Sequence, residues 1–328
     1  MRLRTRFTEA FGLSTPIAQA GMAFVGMGPE LAVAVGNAGG LGSLGVGLLP
    51  LPAMLQVIAA VRAGTPAPFH VNFITVFTEQ PQIDAVCEAA VPAVSFHWGH
   101  PRRAWIDQLH AAGIRVFEQV GDVAAAGRAV DDGIDVIVAQ GSEAGGHNFG
   151  SLPTFALVPL IVDAVAPALV LAAGGIADGR GLAAALMLGA DGAWIGTRLV
   201  ATDESLAHDG YKSRLVRAAA TDTVRTSLFG PETPEFNPMR VLRNRVVEEK
   251  PSYPAERPII GRTVLGGEPV DVPRFANLVP MRDVTTGDLD EMPLLAGQGV
   301  GLVDAVKSAG SVIADITAQA REVLTRYQ

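Results

Sequence analysis

The stretch LVLAAGGIADGRGLAAALMLGADGAWIGT, residues 169–197, decides the fold. It opens on an apolar run of strand length, Leu169–Ala173, which breaks at the pair Gly174-Gly175. An Ala- and Leu-rich segment, Gly179–Leu188, has helical character, and a second apolar run, Gly192–Gly196, follows it. Strand, glycine turn, helix and strand in so short a span make a βαβ unit, whose two strands must run parallel.

The same alternation extends back to the start of the chain. Strand candidates are Ile17–Ala23, Leu41–Leu44, Phe69–Ile74, Ala93–Phe96, Ile114–Gln119 and Ile134–Ala139. Helical patterns lie near Pro29–Asn37, Pro52–Arg62, Arg102–Ala112 and Val123–Val130. With the two strands quoted first this makes eight, which predicts an α/β fold of the (β/α)8 TIM-barrel type, since an open doubly wound sheet usually has fewer strands. Residues 202–292 read differently. They are richer in Pro and charge, as in GPETPE (230–235) and KPSYP (250–254), and show little periodicity. They are expected to form a mixed excursion after strand eight that packs over the barrel mouth. A helical segment, Val300–Arg326, closes the chain. The expected division is therefore a barrel from residues 1–201 and 293–328, and an excursion from 202–292.

Composition agrees with a large buried core. Of 328 residues, 49% are hydrophobic, 18% are charged and 37 are glycine, as close-packed parallel strands and helices require. The net charge of −8, with no basic tract, argues against a nucleic-acid groove. Cys87 is the single cysteine, so no intrachain disulfide or Cys-based zinc site can form, and a reducing cytoplasm is expected. Cys87 itself falls in a helical pattern, Ile83–Ala90, and reads as a packing residue. The N-terminal residues lack the apolar stretch of a signal peptide. Leu31–Val61 contains no charged residue and is long enough to span a bilayer, but its glycines and prolines would break such a helix repeatedly. No membrane association is expected.

Four glycine-rich segments bear on chemistry. GLGSLG, residues 40–45, matches a dinucleotide-binding fingerprint, but it follows a helical stretch and no Asp or Glu occurs between Glu30 and Glu79 to hold a ribose. It reads as a tight turn beside a buried strand. Gly174-Gly175 and Gly196-Thr197 end strands seven and eight, where barrels commonly bind phosphate through bare backbone N–H groups. QGSEAGGHNFG, residues 140–150, follows strand six and places His147 at the catalytic mouth. An imidazole there can exchange a proton near neutral pH. His97 and His100 have a metal-like spacing after strand four, but no third ligand fits, so His97 reads as pocket lining and His100 as a surface or helix-start residue.

These segments resemble the nitronate monooxygenase family, once called 2-nitropropane dioxygenases. The resemblance rests on Gln140–His147, the GGIADGRG segment at 174–181, Gly196-Thr197, Gln19–Met22 and Ala296–Gly299. Ser95–Gly99, SFHWG, resembles the fourth-strand motif of the class I, nitronate-oxidising members. The EAGGH core is shared with FMN-dependent enoyl-ACP reductases and is similar to the site of related NADH:quinone reductases. The resemblance implies an FMN cofactor. It places Gly21, Met22 and Ala23 against the flavin from strand one, Asn72 from strand three, Gln119 at a position that is Lys in some relatives, and Gln140 and Gly145 from the sixth loop. Ala173, Gly174, Gly175, Gly196 and Thr197 would hold the phosphate. His147 matches the catalytic histidine, and His97 lines the substrate pocket. The activity implied is oxidation of alkyl nitronates, or of neutral nitroalkanes, with O2 to carbonyl compounds and nitrite. Two other readings stand beside it: a flavin reductase using NAD(P)H on quinones or enoyl thioesters, and a phosphate-ligand-binding barrel with no redox role.

Overall fold

The computed structural model describes residues 3–249, 252–254 and 256–326, so the predicted KPSYP stretch lies partly outside the described residues. Eight parallel strands form the centre: β1 (Ile17–Gln19), β2 (Gly42–Gly45), β3 (Phe69–Ile74), β4 (Ala93–His97), β5 (Arg115–Val120), β6 (Val136–Gln140), β7 (Leu169–Ala173) and β8 (Gly192–Ile195). Each pairs with its neighbour, and β8 pairs with β1. The circle closes between β1 and β2, where Gln19 N donates to Leu41 O and Leu41 N to Ile17 O, both at 2.9 Å. This is the (β/α)8 barrel that the alternation predicts.

The helices of the barrel layer are α1 (Arg6–Phe11), α2 (Pro29–Asn37), α3 (Leu51–Gly64), α4 (Gln80–Glu88), α5 (Arg103–Ala111), α6 (Val123–Asp131), α7 (Thr154–Val165) and α8 (Gly179–Met187). Alternate strand residues face them. Val71, Phe73, Val94, Phe96, Val116 and Ile137 are fully buried between strands and helices, while Ala93, Phe117, Val136, Val138 and Leu171 fill the barrel interior. The strand period of two puts these two sets on opposite faces. Three polar side chains also face inward. His70 Nε2 bonds Gln19 O at 2.9 Å, His70 Nδ1 meets Ser95 Oγ at 2.8 Å, and Asn72 Nδ2 donates to the same hydroxyl at 2.8 Å. Gln19 pairs in turn with the Ser43 backbone through both its amide atoms.

Several boundaries differ from expectation. Strand one stops at Gln19, and Ala20–Ala23 is loop, because Asn72 packs where a Cβ on Gly21 would stand, 2.0 Å from Asn72 Cγ. Strand six runs to Gln140, two residues past its expected start and one past its end. Helix α7 was hidden in the sequence by Pro153 at its cap and Pro159 inside it. The closing helix, α12, spans only Ala309–Thr325, capped by Ser308; residues 298–302 form a separate 3-10 turn.

Between β8 and α12 the chain forms α9 (Thr197–Val200), α10 (Asp209–Arg217), β9 (Thr223–Thr226), β10 (Met239–Leu242), α11 (Arg245–Glu249) and a hairpin of β11 (Ile259–Leu265) and β12 (Glu268–Pro273). Strand β10 also pairs with a two-residue strand, Gly146–His147. Leu265 and Gly266 at the hairpin tip, and Asn277, Leu278 and Val279 beyond it, border the same cavity as the C-terminal ends of the barrel strands.

Candidate active site

Every residue singled out in the sequence as catalytic, flavin-facing, phosphate-holding or pocket-lining borders one cavity of about 480 Å³ at the C-terminal mouth of the barrel. That size is ordinary for a small-molecule or cofactor site. Its lining is mostly apolar, with Met22, Ile74, Phe236, Leu278 and Leu295 among the contributors. Among the described residues no Lys or Arg lines it.

The loop after β6 is braced from several directions. Glu143 accepts from Thr154 N at 2.8 Å and Thr154 Oγ1 at 3.0 Å, which ties it to the start of α7. Asn148, fully buried, donates to Gly141 O at 3.1 Å. Arg240 Nη2 donates to Ser142 O at 2.8 Å from β10. His147 therefore sits not on a free loop but on a short strand held by Met239 and Arg240. The length of the apolar run at Val136–Gln140 fixes where this loop begins, and the excursion fixes how it lies.

The His147 ring is stacked on Phe236, centroids 3.5 Å apart, and meets the Trp98 ring at 5.6 Å in an edge arrangement. Its Nε2 lies 3.1 Å from Asn277 Nδ2. Its Nδ1 is buried and has no partner at hydrogen-bond geometry. Burial pushes the imidazole down to about 3; a proton on neighbouring His97 would work in the same direction, and the nearby Phe236 backbone offsets this only in part. His97 is likewise pushed down to about 4 by burial. Its Nδ1 takes a bond from Gln119 Nε2 at 2.9 Å, and its ring stacks against Phe149. Both histidines are neutral at physiological pH.

Gln140 donates to His147 O at 3.1 Å, while its Oε1 is buried without a partner. Across the cavity, Gly174 and Gly175 have φ of +109° and +73°, a left-handed backbone that favours glycine. A Cβ at Gly175 or Gly196 would meet no heavy atom closer than 3.5 Å, so both face open space. Among the described residues, no backbone carbonyl receives the amides of Gly174, Gly175 or Gly196. Thr197 Oγ1 accepts from Gly297 N at 3.0 Å, which leaves its hydroxyl proton free. Free amides, open glycines and an unpartnered Gln140 oxygen are what an anionic group and a polar planar ring would use, so these residues fit a flavin phosphate and ring system.

His100 lies outside the cavity. It bridges Glu118 and Asp132, at 2.8 Å each, on the outer side of β4 and β5. Among the described residues no group of three His, Cys, Asp or Glu is placed to hold a metal. The sequence reading missed Asn277 and Phe236 around His147; it quoted Trp98 and Ser95 within SFHWG but did not place Trp98 against His147 or Ser95 with His70 under Asn72. Ser95 and His70 had a legible signal, as polar residues at inward strand positions. Asn277 and Phe236 had none.

Fold and site together define a (β/α)8-barrel enzyme with a cofactor-sized cavity at its catalytic mouth. A sequence profile of the nitronate monooxygenase family matches residues 4–82 and 73–319. The chain belongs to that family, whose members are flavin oxidoreductases. A probable nitronate monooxygenase of Staphylococcus saprophyticus subsp. saprophyticus is 32% identical, over 99% of this chain and 100% of its own length. The (3aS,4S,5R,7aS)-5-hydroxy-7a-methyl-1-oxo-octahydro-1H-indene-4-carboxyl-CoA dehydrogenase of Mycobacterium tuberculosis is 38% identical over 76% of this chain and 69% of its own. Among solved structures, FabK from Thermotoga maritima superposes with a TM-score of 0.82 at 33% identity, covering 99% of this chain and 98% of its own. Among the described residues no helix is long and apolar enough to cross a membrane.

Proposed function

We propose that this protein is an FMN-dependent nitronate monooxygenase, which oxidises alkyl nitronates to carbonyl compounds and nitrite with O2 as electron acceptor. The observation that carries the reading is His147: a neutral imidazole with one buried ring nitrogen left unpartnered, in an apolar cavity without Lys or Arg. A base works best when its pKa lies near the operating pH. At about 3, His147 is a weak base. It is better suited to a substrate that arrives already deprotonated, whose oxygens need a hydrogen-bond partner.

The amides of Gly174, Gly175 and Gly196 and the Thr197 hydroxyl would hold the FMN phosphate, next to Ala173. Gly21, Met22, Ala23, Asn72, Gln119, Gln140 and Gly145 would border the ring system. FMN rather than FAD is expected because there is one such anion cradle and no adenylate fingerprint. When bound, the flavin supplies the redox chemistry between nitronate and O2. The chain's own share is to orient the nitronate through His147, to pack its alkyl part against the apolar lining with His97 alongside, and to exclude water with residues 202–292. That covering segment, through Leu265 and Leu278, would set substrate choice.

A second reading, a flavin dehydrogenase or reductase that takes NAD(P)H and a thioester, has support in the similarity to the M. tuberculosis CoA-ester dehydrogenase. The absence of cations from the described lining speaks against phosphate-bearing cosubstrates deep in the cavity. Anaerobic mixing of the flavin-loaded protein with a nitronate, NADH and NADPH in turn decides the matter. Bleaching of the flavin band by the nitronate is expected. Fast bleaching by NAD(P)H with none by nitronate would establish the second reading instead. Chromatography of the flavin released on denaturation checks FMN against FAD.

A further inference from the structure

Asn277 lies beyond β12, 130 residues from His147 in sequence, and no motif marks it. Its place is nevertheless specified. Phe275, two residues before it, has φ of +70°, and Phe275 O accepts from Gly230 N at 2.8 Å. A Cβ on Gly230 would stand 3.1 Å from Asn277 Cβ, so the turn at Gly230 packs directly against the Asn277 side chain. The result sets the amide nitrogen of Asn277 3.1 Å from His147 Nε2.

The His147 ring cannot readily exchange its two nitrogens by flipping. One face is stacked on Phe236 and Trp98 meets the ring from another side. The two nitrogens therefore have fixed and different surroundings. Nε2 faces Asn277. Nδ1 is buried, unpartnered, and belongs to a side chain that borders the cavity.

A neutral imidazole carries one proton, on one nitrogen or the other. A side-chain amide nitrogen has two N–H donors and offers no lone pair. Opposite Nε2 it can only donate, so Nε2 must present its lone pair and the proton must sit on Nδ1. We propose that Asn277 is a positioning residue that fixes His147 as the Nδ1–H tautomer, and so makes it a hydrogen-bond donor to a substrate oxygen rather than a base toward a substrate C–H. The choice of substrate oxygen rests on the nitronate reading; the tautomer does not. A buried donor is costly to leave poorly paired; the Phe236 backbone lies near the ring without closing a well-formed bond to Nδ1, and an anionic oxygen of a bound substrate would complete the pairing.

The tautomer can be read directly. The flavin-loaded protein, labelled with 15N-histidine, reports through the 15N shifts of each ring whether Nδ1, Nε2 or both carry a proton. The His147 signals are assigned by their loss in His147→Gln. The wild type is expected to show a protonated Nδ1 and a bare Nε2. In Asn277→Asp the carboxylate offers only acceptors, so the proton is expected to move to Nε2. Asn277→Leu, which neither donates nor accepts, is expected to show a mixture. The same swap in Asn277→Asp frees the Nδ1 lone pair, and the ratio of kcat/KM for a neutral nitroalkane to that for its nitronate should rise by about tenfold or more. A wild-type His147 protonated on Nε2 would overturn the proposal, as would an Asn277→Leu protein with an unchanged single tautomer. If the wild type turns over neither form of the substrate, the nitronate reading fails, while the 15N spectrum still decides the role of Asn277.

Discussion

Replacing His147 separates its possible contributions, because different side chains preserve different atoms of the ring. Asn places its amide nitrogen close to where Nδ1 stands; Gln reaches instead to the Nε2 position; Phe keeps the stack on Phe236 and removes both nitrogens. The unpartnered atom in the structure is Nδ1. A hydrogen bond to a charged group contributes about 1.5–3 kcal/mol, which corresponds to roughly 10- to 100-fold in rate. His147→Phe should therefore lower kcat/KM for a preformed alkyl nitronate by about 10- to 100-fold, on the arithmetic of one lost charged hydrogen bond. His147→Asn should stay within about tenfold of wild type, because the donor at Nδ1 survives. His147→Gln should resemble Phe, since its donor is at the wrong position. Flavin content should be the same in all four proteins. Steady-state nitrite release from one nitronate, with each protein checked for its bound flavin, measures this order. A Phe variant with wild-type kcat/KM, or a Gln variant better than Asn, would refute the assignment of Nδ1 as the substrate-facing atom.

Three further outcomes are expected. Gly175→Ala should fold, since its Cβ would meet only Glu143 Cβ at 3.7 Å, but the φ of +73° should cost about 1–2 kcal/mol; Gly175→Asp adds a negative charge beside the anion cradle and should purify without flavin, and a fully yellow Gly175→Asp protein would show that the phosphate lies elsewhere. His70 is fully buried and held near 4, below its ordinary value of about 6.5, so the unfolded chain takes up the proton first as pH falls. Its contribution is complete above about pH 6.5 and should shrink by about 2 kcal/mol between pH 7 and 5; His97 and His147 act in the same direction, while His100, whose bonds to Asp132 and Glu118 outweigh its burial, opposes them. Thermal unfolding midpoints that coincide at pH 7 and 5 would contradict this. Leu265→Arg at the hairpin tip puts a cation on an uncharged cavity wall, and should lower KM for a carboxylate-bearing nitronate relative to an alkyl one; unchanged KM for both would remove residues 202–292 from substrate selection.

The barrel was legible because its evidence is local. Apolar runs such as Leu169–Ala173 and Phe69–Ile74 carry their own length and end at their own breakers, and the structure keeps both boundaries. The α7 helix was not legible, because Pro153 and Pro159 carry the signs of a loop while packing of Leu157, Val158 and Ile161 against the strands overrides them. The site divides along the same line. Gly174, Gly175, Gly196 and Gln140 each follow directly from a strand end, so the chain's local pattern delivers them to the mouth.

What turns those residues into a chemical site is contact between segments far apart in the chain. His147 stands out in sequence, yet the contacts that orient its ring come from Phe236, Trp98 and Asn277. None of those three could be paired with it from spacing. A glycine-rich loop with a histidine is compatible with a base or a donor, and the loop sequence is the same for both. The excursion supplies the missing information: it presses an aromatic ring onto the imidazole, which removes water and lowers its basicity, and it offers an amide to one nitrogen, which selects the other for the substrate. On this argument the segment after β8 does more than admit or refuse an alkyl chain. It would set whether His147 acts by giving a hydrogen bond or by taking a proton, and exchanging residue 277 alone should move the enzyme between the two.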